Sequence, residues 1–256
     1  MPNPVAVVTG ASQGIGRSTA IRLARDFPSI VLVARNRSNL EDTASQVRAA
    51  GAETHVVGLD LSEPSAARTV VEETLGAFGR IDALLNIAGA VPQIDLFEMT
   101  DEQWDAGMAL KLHGARRLTI EAWPALTEAK GSVVLMSGNS AIFPKALYAA
   151  VGTTNAAIAA LAKAFADRGI DDGVQVNSVM PGAVMTGRRR SYLEHWAPAH
   201  GMTVEEATAD FPQKVDIGRF GCPEEIAELM AFLVSPAARW MTGSVVRMDG
   251  GEVKSV

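Results

Sequence analysis

Short apolar runs rich in β-branched residues alternate with segments of helical periodicity, and this alternation constrains the fold more than any other property of the chain. The runs are Val5–Val8, Ser29–Ala34, Thr54–Leu59, Asp82–Asn86, Ser132–Ser137, Val174–Met180 and Ser244–Met248. Between them the spacing predicts helices over Arg17–Phe27, Ser38–Ala50, Glu63–Phe78, Asp101–Leu126 with a kink near Pro124, Ala149–Arg168 and Pro223–Val234. Strand followed by helix, repeated in this way, predicts parallel strands joined by right-handed crossovers. Pro181–Gln213 breaks the pattern, with one short helix around Val204–Ala209, and reads as a lid of the kind that long irregular segments often form.

The first strand runs directly into Thr9-Gly10-Ala11-Ser12-Gln13-Gly14-Ile15-Gly16, a Gly-x-x-x-Gly-x-Gly turn at a strand-to-helix junction. Glycines there let the backbone approach a ligand closely, and the unpaired N–H groups of the following helix suit a pyrophosphate. An isolated turn of this kind serves tight packing about as often.

At 256 residues and 48% hydrophobic content, one large core and one domain over 1–256 are expected, with 181–213 as the lid segment. A net charge of −6 and no basic tract longer than Arg188–Arg190 argue against a nucleic-acid partner. Cys222 is the sole cysteine, so an internal disulfide is excluded and a reducing, cytoplasmic setting is expected. No signal sequence is expected before the first strand, and no stretch reads as long and apolar enough to span a bilayer.

In sheets of this kind an acid at the end of the second strand selects a free ribose diol. From Phe27 to Leu40 there is no carboxylate, whereas Arg35 and Arg37 are both present. Guanidinium groups at that strand tip suit a 2′-phosphate, which predicts NADP(H) in preference to NAD(H). The alternative is two solvated arginines.

Taken together, these features resemble the short-chain dehydrogenase/reductase family over nearly the whole chain. The resemblance rests on Thr9-Gly10-x-x-x-Gly14-x-Gly16, Asp60-Leu61, Asn86-Ile87-Ala88-Gly89, Asn177-x-x-x-Pro181-Gly182 with Thr186, and Asp249-Gly250-Gly251. It implies a doubly wound Rossmann-type α/β fold: a parallel sheet of about seven strands with helices on both faces. It also implies a nicotinamide cofactor held by Gly10, Ser12, Gln13, Gly14, Ile15, Gly16, Asp60, Leu61, Asn86, Ala88, Gly89, Pro181, Gly182 and Thr186. A small-molecule substrate and a homotetramer or homodimer follow from the same resemblance. Helices matching Asp101–Leu126 and Ala149–Arg168 then pack against a neighbour, and the small residues of the second equally suit burial within one subunit.

The family's Ser, Tyr-x-x-x-Lys and Asn are all replaced. Counting without gaps from Asn177 and from Val133–Ser137 places Gly138 at the Ser position, Val151 at the Tyr position and Asn155 at the Lys position. Trp104 sets the family's Asn at Lys111. Lys and Asn are therefore exchanged, which keeps one ammonium and one amide near the same place. Tyr148 lies three residues before Val151 and shares its helical stripe if the helix starts early.

These substitutions predict a rearranged proton relay for hydride transfer to a carbonyl or from a secondary alcohol. In that relay Tyr148 donates the proton, Lys111 tunes it, Ser137 or Ser140 orients the substrate, and Asn155 holds a water or ribose hydroxyl. Tyr148 reads equally as a packed or interface aromatic. Arg188, Arg189 and Arg190 read as an anion clamp or as a solvated run, and His195 and His200 as surface residues. Trp196, Tyr192, Phe211 and Met202 form either an apolar lid or the lid's own packing. Two further readings stay open: a cofactor-binding sensor or partner subunit without turnover, and a lyase or isomerase on the same scaffold.

Overall fold

Residues 3–255 are described by a computed structural model. Strand β1 (Val5–Thr9) is buried along its whole length, with Val5 and Val7 on one face and Ala6 and Val8 on the other. Strand β4 (Ala83–Asn86) repeats the division, Leu84 on the first face and Ala83 and Leu85 on the second. A strand covered on both faces has no reason to alternate polar and apolar residues, so these read as continuous apolar runs. The remaining strands are β2 (Ser29–Ala34), β3 (Glu53–Gly58), β5 (Ser132–Met136), β6 (Gln175–Pro181) and β7 (Val245–Met248).

All seven are parallel, in the order β3-β2-β1-β4-β5-β6-β7. The order reverses between β1 and β4, and the crevice beyond the carboxyl ends of those two strands is the place where such sheets bind ligands.

Helices α1 (Gly14–Leu23), α2 (Arg37–Ala49) and α9 (Pro223–Leu233) bury one face of the sheet, through residues such as Leu23, Leu40 and Met230. On the other face lie α3 (Ala66–Phe78), α5 (Ala115–Ala129) and α6 (Ala149–Asp172), contributing Val70, Leu118 and Ile158. Each such side chain, fully buried, stabilises the fold by roughly 1.5–3 kcal/mol.

Three expectations need correction. The long helix is interrupted, but not at Pro124: α4 (Asp101–Met108) passes into a π-helical turn at Ala109–Gly114, and α5 then continues through Pro124. At Gly114 the helix lies so close to β3's exit that a Cβ would stand 2.7 Å from the Leu61 carbonyl oxygen. The segment expected to form a lid contains two helices, not one: α7 (Gly187–Ala199) and α8 (Val204–Lys214). Within α7 only Leu193 and Ala197 are buried, and Pro198 sits in the last turn, so its helical periodicity is nearly absent from the sequence. These two helices close a small core of their own with Ile217 and Phe220.

The third concerns α6, which with the preceding turn spans Ala146–Asp172 and meets the length and composition of a bilayer-crossing helix. Its buried residues, Ala150, Thr154, Asn155, Ile158, Ala162 and Ala166, mark the face that packs on the sheet.

Candidate active site

The glycine turn after β1 is built for close approach. Gly10 has φ +66°, and a Cβ there would lie 3.0 Å from the Ala88 backbone. A Cβ on Gly16 would lie 2.2 Å from the Gly10 carbonyl oxygen, so no other residue fits that position without displacing the turn. The Thr9 hydroxyl, accepting from the N–H groups of Ile87 (2.9 Å) and Ala88 (3.0 Å), ties the tip of β4 to that of β1. Arg17 braces the turn by donating to the Ser12 carbonyl at 2.7 Å. No side chain caps α1, so its first N–H groups are left for an anion.

A cavity of about 540 Å³ opens over this turn. Of the residues expected at a cofactor, Gly10, Ser12, Gln13, Gly14, Ile15, Gly16, Arg35, Leu61, Ala88, Gly89 and Thr186 line it. Arg37, Asp60, Asn86, Pro181 and Gly182 do not. The Asn86 amide is buried and donates to the Thr119 hydroxyl at 3.1 Å, bracing β4 on α5. Asp60 accepts from the N–H (2.9 Å) and hydroxyl (2.8 Å) of Ser62 and lies 3.5 Å from the Arg35 guanidinium. Burial opposes its ionisation, but these hydrogen bonds and Arg35 outweigh burial and hold its pKa below the usual range. Arg37, the first residue of α2, lies against Gly58 and reaches Glu41 at 4.0 Å.

Asn36 and Asn39 line the cavity beside Arg35, a feature the sequence reading missed. Their signal was available: Asn36 caps α2, its side chain accepting the Asn39 N–H at 3.0 Å.

At the inner end the π turn carries Lys111. Its Nζ donates to Asn155 Oδ1 at 2.5 Å and to the Ser137 carbonyl at 3.3 Å. Asn155 in turn donates to the Ser140 hydroxyl (2.9 Å), and the Ser137 hydroxyl donates to the Asn155 carbonyl (2.7 Å). Four of the five proposed catalytic residues thus form one connected group. Gly138 belongs to the same arrangement, because a Cβ there would stand 2.6 Å from Asn155 Nδ2. A side chain at position 138 would therefore collide with the Asn155 amide, so the two residues are sterically coupled. Burial, with a smaller contribution from Arg188, lowers the Lys111 pKa to about 8.

Tyr148 stands apart. It lies outside α6, with φ −142° and ψ 40°, so the stripe expected to join it to Val151 and Asn155 does not form. It lines neither this cavity nor its neighbour. Burial and Glu252 raise the phenol's pKa against the opposing effect of Arg189.

The adjoining cavity, about 240 Å³, shares Ile15, Gly89, Lys111, Thr186 and Arg188 with the first. Val151 lies on its wall, as do Gln93, Gly182, Val184, Arg189 and Tyr192. Trp196, Met202 and Phe211 instead pack into the core of the lid. His195 bonds the Ser191 carbonyl and His200 stacks on Trp196, both at the surface.

Comparison with known proteins agrees with this fold. A family profile described as enoyl-(acyl carrier protein) reductase matches residues 10–252. An uncharacterised oxidoreductase of Mycobacterium tuberculosis is 32% identical over 98% of this chain and 92% of its own length. The 3-oxoacyl-[acyl-carrier-protein] reductase of Thermotoga maritima is 27% identical, over 97% of each chain. Among solved structures, L-sorbose reductase from Gluconobacter frateurii, complexed with NADPH and L-sorbose, superposes with a TM-score of 0.95 at 29% identity. It covers 100% of this chain and 98% of the other. With its seven-stranded doubly wound sheet, its glycine turn and these relatives, the chain belongs to the short-chain dehydrogenase/reductase family of oxidoreductases.

Proposed function

We propose that the protein is an NADP(H)-linked oxidoreductase acting on a carbonyl compound or the corresponding secondary alcohol, with Lys111 as the group that gives or takes the proton at the substrate oxygen. One observation carries this reading: Lys111, held by Asn155 and Ser137, stands on the wall shared by the two cavities. An ammonium has three N–H donors and two are taken, which leaves one for a substrate oxygen. Asn155 and Ser137 fix the position of Nζ, and Ser140 fixes the Asn155 amide.

The residues present fit the dinucleotide. The uncapped N-terminus of α1 suits its pyrophosphate, and Arg35, with Asn36 and Asn39 beside it, suits a 2′-phosphate. The similarity to a reductase complexed with NADPH supports the same cofactor. When bound, it supplies or accepts the hydride. Helix α7 then bounds the substrate cavity, with α8 packed behind it. Self-association into a tetramer or dimer, implied by the family, is supported by apolar side chains left exposed on α5 (Ile120) and α6 (Ile170).

The test is NADPH oxidation against a panel of aldehydes and ketones, with product quantified. Turnover matched one to one with product is expected. Lys111→Met should lower kcat by about a hundredfold or more, as loss of a general acid does, whereas Tyr148→Phe should keep most of it. Reduction by the wild type should slow as pH rises through about 8, where Lys111 loses its proton. Absence of NADPH oxidation across the panel, with NADPH still bound, would favour the cofactor-binding sensor instead.

A further inference from the structure

Three cationic side chains, Lys111, Arg188 and Arg189, line the smaller cavity, and no carboxylate lies on its wall. The rest of that wall is apolar or neutral: Ile15, Val91, Val151, Val184, Gln93 and Tyr192 among others. The two arginines are not neutralised by an ion pair within 4.0 Å among the described residues. Arg188 donates to the Val91 carbonyl at 2.9 Å. Arg189 lies between two rings, 5.6 Å from the centroid of Tyr192 and 5.0 Å from that of Phe211. Glu252 acts on Arg189 only at longer range, its carboxylate being engaged by the Ala183 N–H at 3.1 Å.

Like charges gathered in a partly enclosed cavity repel, and the desolvation of Lys111 and Arg189 is only partly offset, for Arg189 by the two rings and the more distant Glu252, until an anion enters. Burial accordingly lowers the Arg189 pKa, outweighing Tyr192 and the distant Glu252, the direction expected of a guanidinium without a close counter-charge. The cavity also lies below the roughly 300–1,000 Å³ of sites for drug-sized ligands, so its occupant is small.

We infer that this cavity binds a small carbonyl substrate carrying an oxyanion, a carboxylate or a phosphate ester, with the Arg189 guanidinium on the anion and the carbonyl oxygen directed to Lys111. Arg188 adds positive charge where the two cavities meet. This deepens the carbonyl reduction proposed above and rests on it for the carbonyl, but not for the anion. In the reduction the carbonyl π bond breaks and a C–H and an O–H bond form. Two electrons arrive with the hydride from NADPH, which leaves as NADP⁺, and the proton comes from Lys111 Nζ.

The test uses matched probes with the full-length protein loaded with NADP⁺, read by calorimetry: 4-oxopentanoate against its methyl ester, and dihydroxyacetone phosphate against dihydroxyacetone. At least one anion should bind about tenfold or more tightly than its neutral partner, as a charge-assisted bidentate contact requires. Whichever pair shows the preference identifies the oxyanion. Arg189→Gln should abolish the preference, and Arg189→Lys should restore part of it. NADPH affinity, measured by fluorescence on the same variants, should stay unchanged, because Arg189 does not line the larger cavity. Equal binding of charged and neutral probes, or an anion preference that survives Arg189→Gln, overturns the inference. So does a parallel loss of NADPH affinity, which would assign Arg189 to the cofactor. Parallel NADPH-oxidation assays separate the two proposals. Arginine-dependent anion binding without turnover retains the inference and removes the reduction, whereas equal turnover of neutral and charged probes does the reverse.

Discussion

Lys111 is a side chain whose position costs stability. In an unfolded chain it titrates at its ordinary value of 10.5, and in the folded protein at about 8. Between those values the unfolded state binds more protons, so stability rises with pH across that window. Below about 8 both states are charged and the full cost, about 3 kcal/mol, is present. Lys111→Met removes the charge and keeps a stem of similar length, but it leaves Asn155 Oδ1 and the Ser137 carbonyl without their donor, which reduces the gain. The variant is therefore expected to be more stable than wild type by about 1–2 kcal/mol at neutral pH, while losing turnover. Urea unfolding at neutral pH and at about pH 10 checks this: the advantage should shrink at the higher pH, whereas a pH-independent difference would remove the buried charge as its cause. That Lys111 and Asn155 come to the same place was legible by counting from Trp104 and Asn177. That Gly138 is required by Asn155 was not, because the two meet only when α6 packs beside the end of β5.

At the scale of elements, the π turn and α7 carry most of what is specific to this site. A π turn places one extra residue in a helical circuit, and such turns recur at functional sites. Here it holds Lys111, with Gly89 leaving room for the stem: a Cβ on Gly89 would stand 2.9 Å from Lys111 Cδ. Helix α7 depends on Thr186, whose hydroxyl accepts the Arg189 N–H at 3.2 Å and whose methyl lies near Gly14. Thr186→Ala should destabilise the protein by about 1 kcal/mol through loss of the cap, and should raise KM for substrate because α7 carries Arg188 and Arg189. A stability loss with unchanged KM would make Thr186 a cap alone. The π turn left no mark in the sequence, since hydrophobic spacing over Asp101–Leu126 reads as one helix and a single inserted residue shifts it only slightly. α7 was missed for the opposite reason: it buries too few residues to show a period.

For the whole molecule, binding of the dinucleotide is expected to stabilise the fold by mass action. At a hundredfold excess over Kd the gain is about 2.7 kcal/mol, or roughly 5–10 °C in Tm for a chain of this size. With Arg35 on the cavity wall, NADPH should raise Tm more than NADH at equal concentration, and Arg35→Ala should narrow the difference. A larger shift with NADH would reverse the cofactor assignment.

The strands, most of the helices and the glycine turn were determined by the sequence alone, because each rests on local causes: apolar runs of strand length, helical spacing, and glycines where a Cβ cannot fit. Tertiary structure alone decided which polar groups meet. Tyr148, three residues from Val151, lies before α6 with non-helical backbone and lines neither cavity, whereas Lys111 and Asn155, 44 residues apart, share a hydrogen bond. The Asn86 amide likewise donates to Thr119 of α5. Side-chain direction depends on where a helix begins and on what packs beside it, and neither is a property of spacing along the chain.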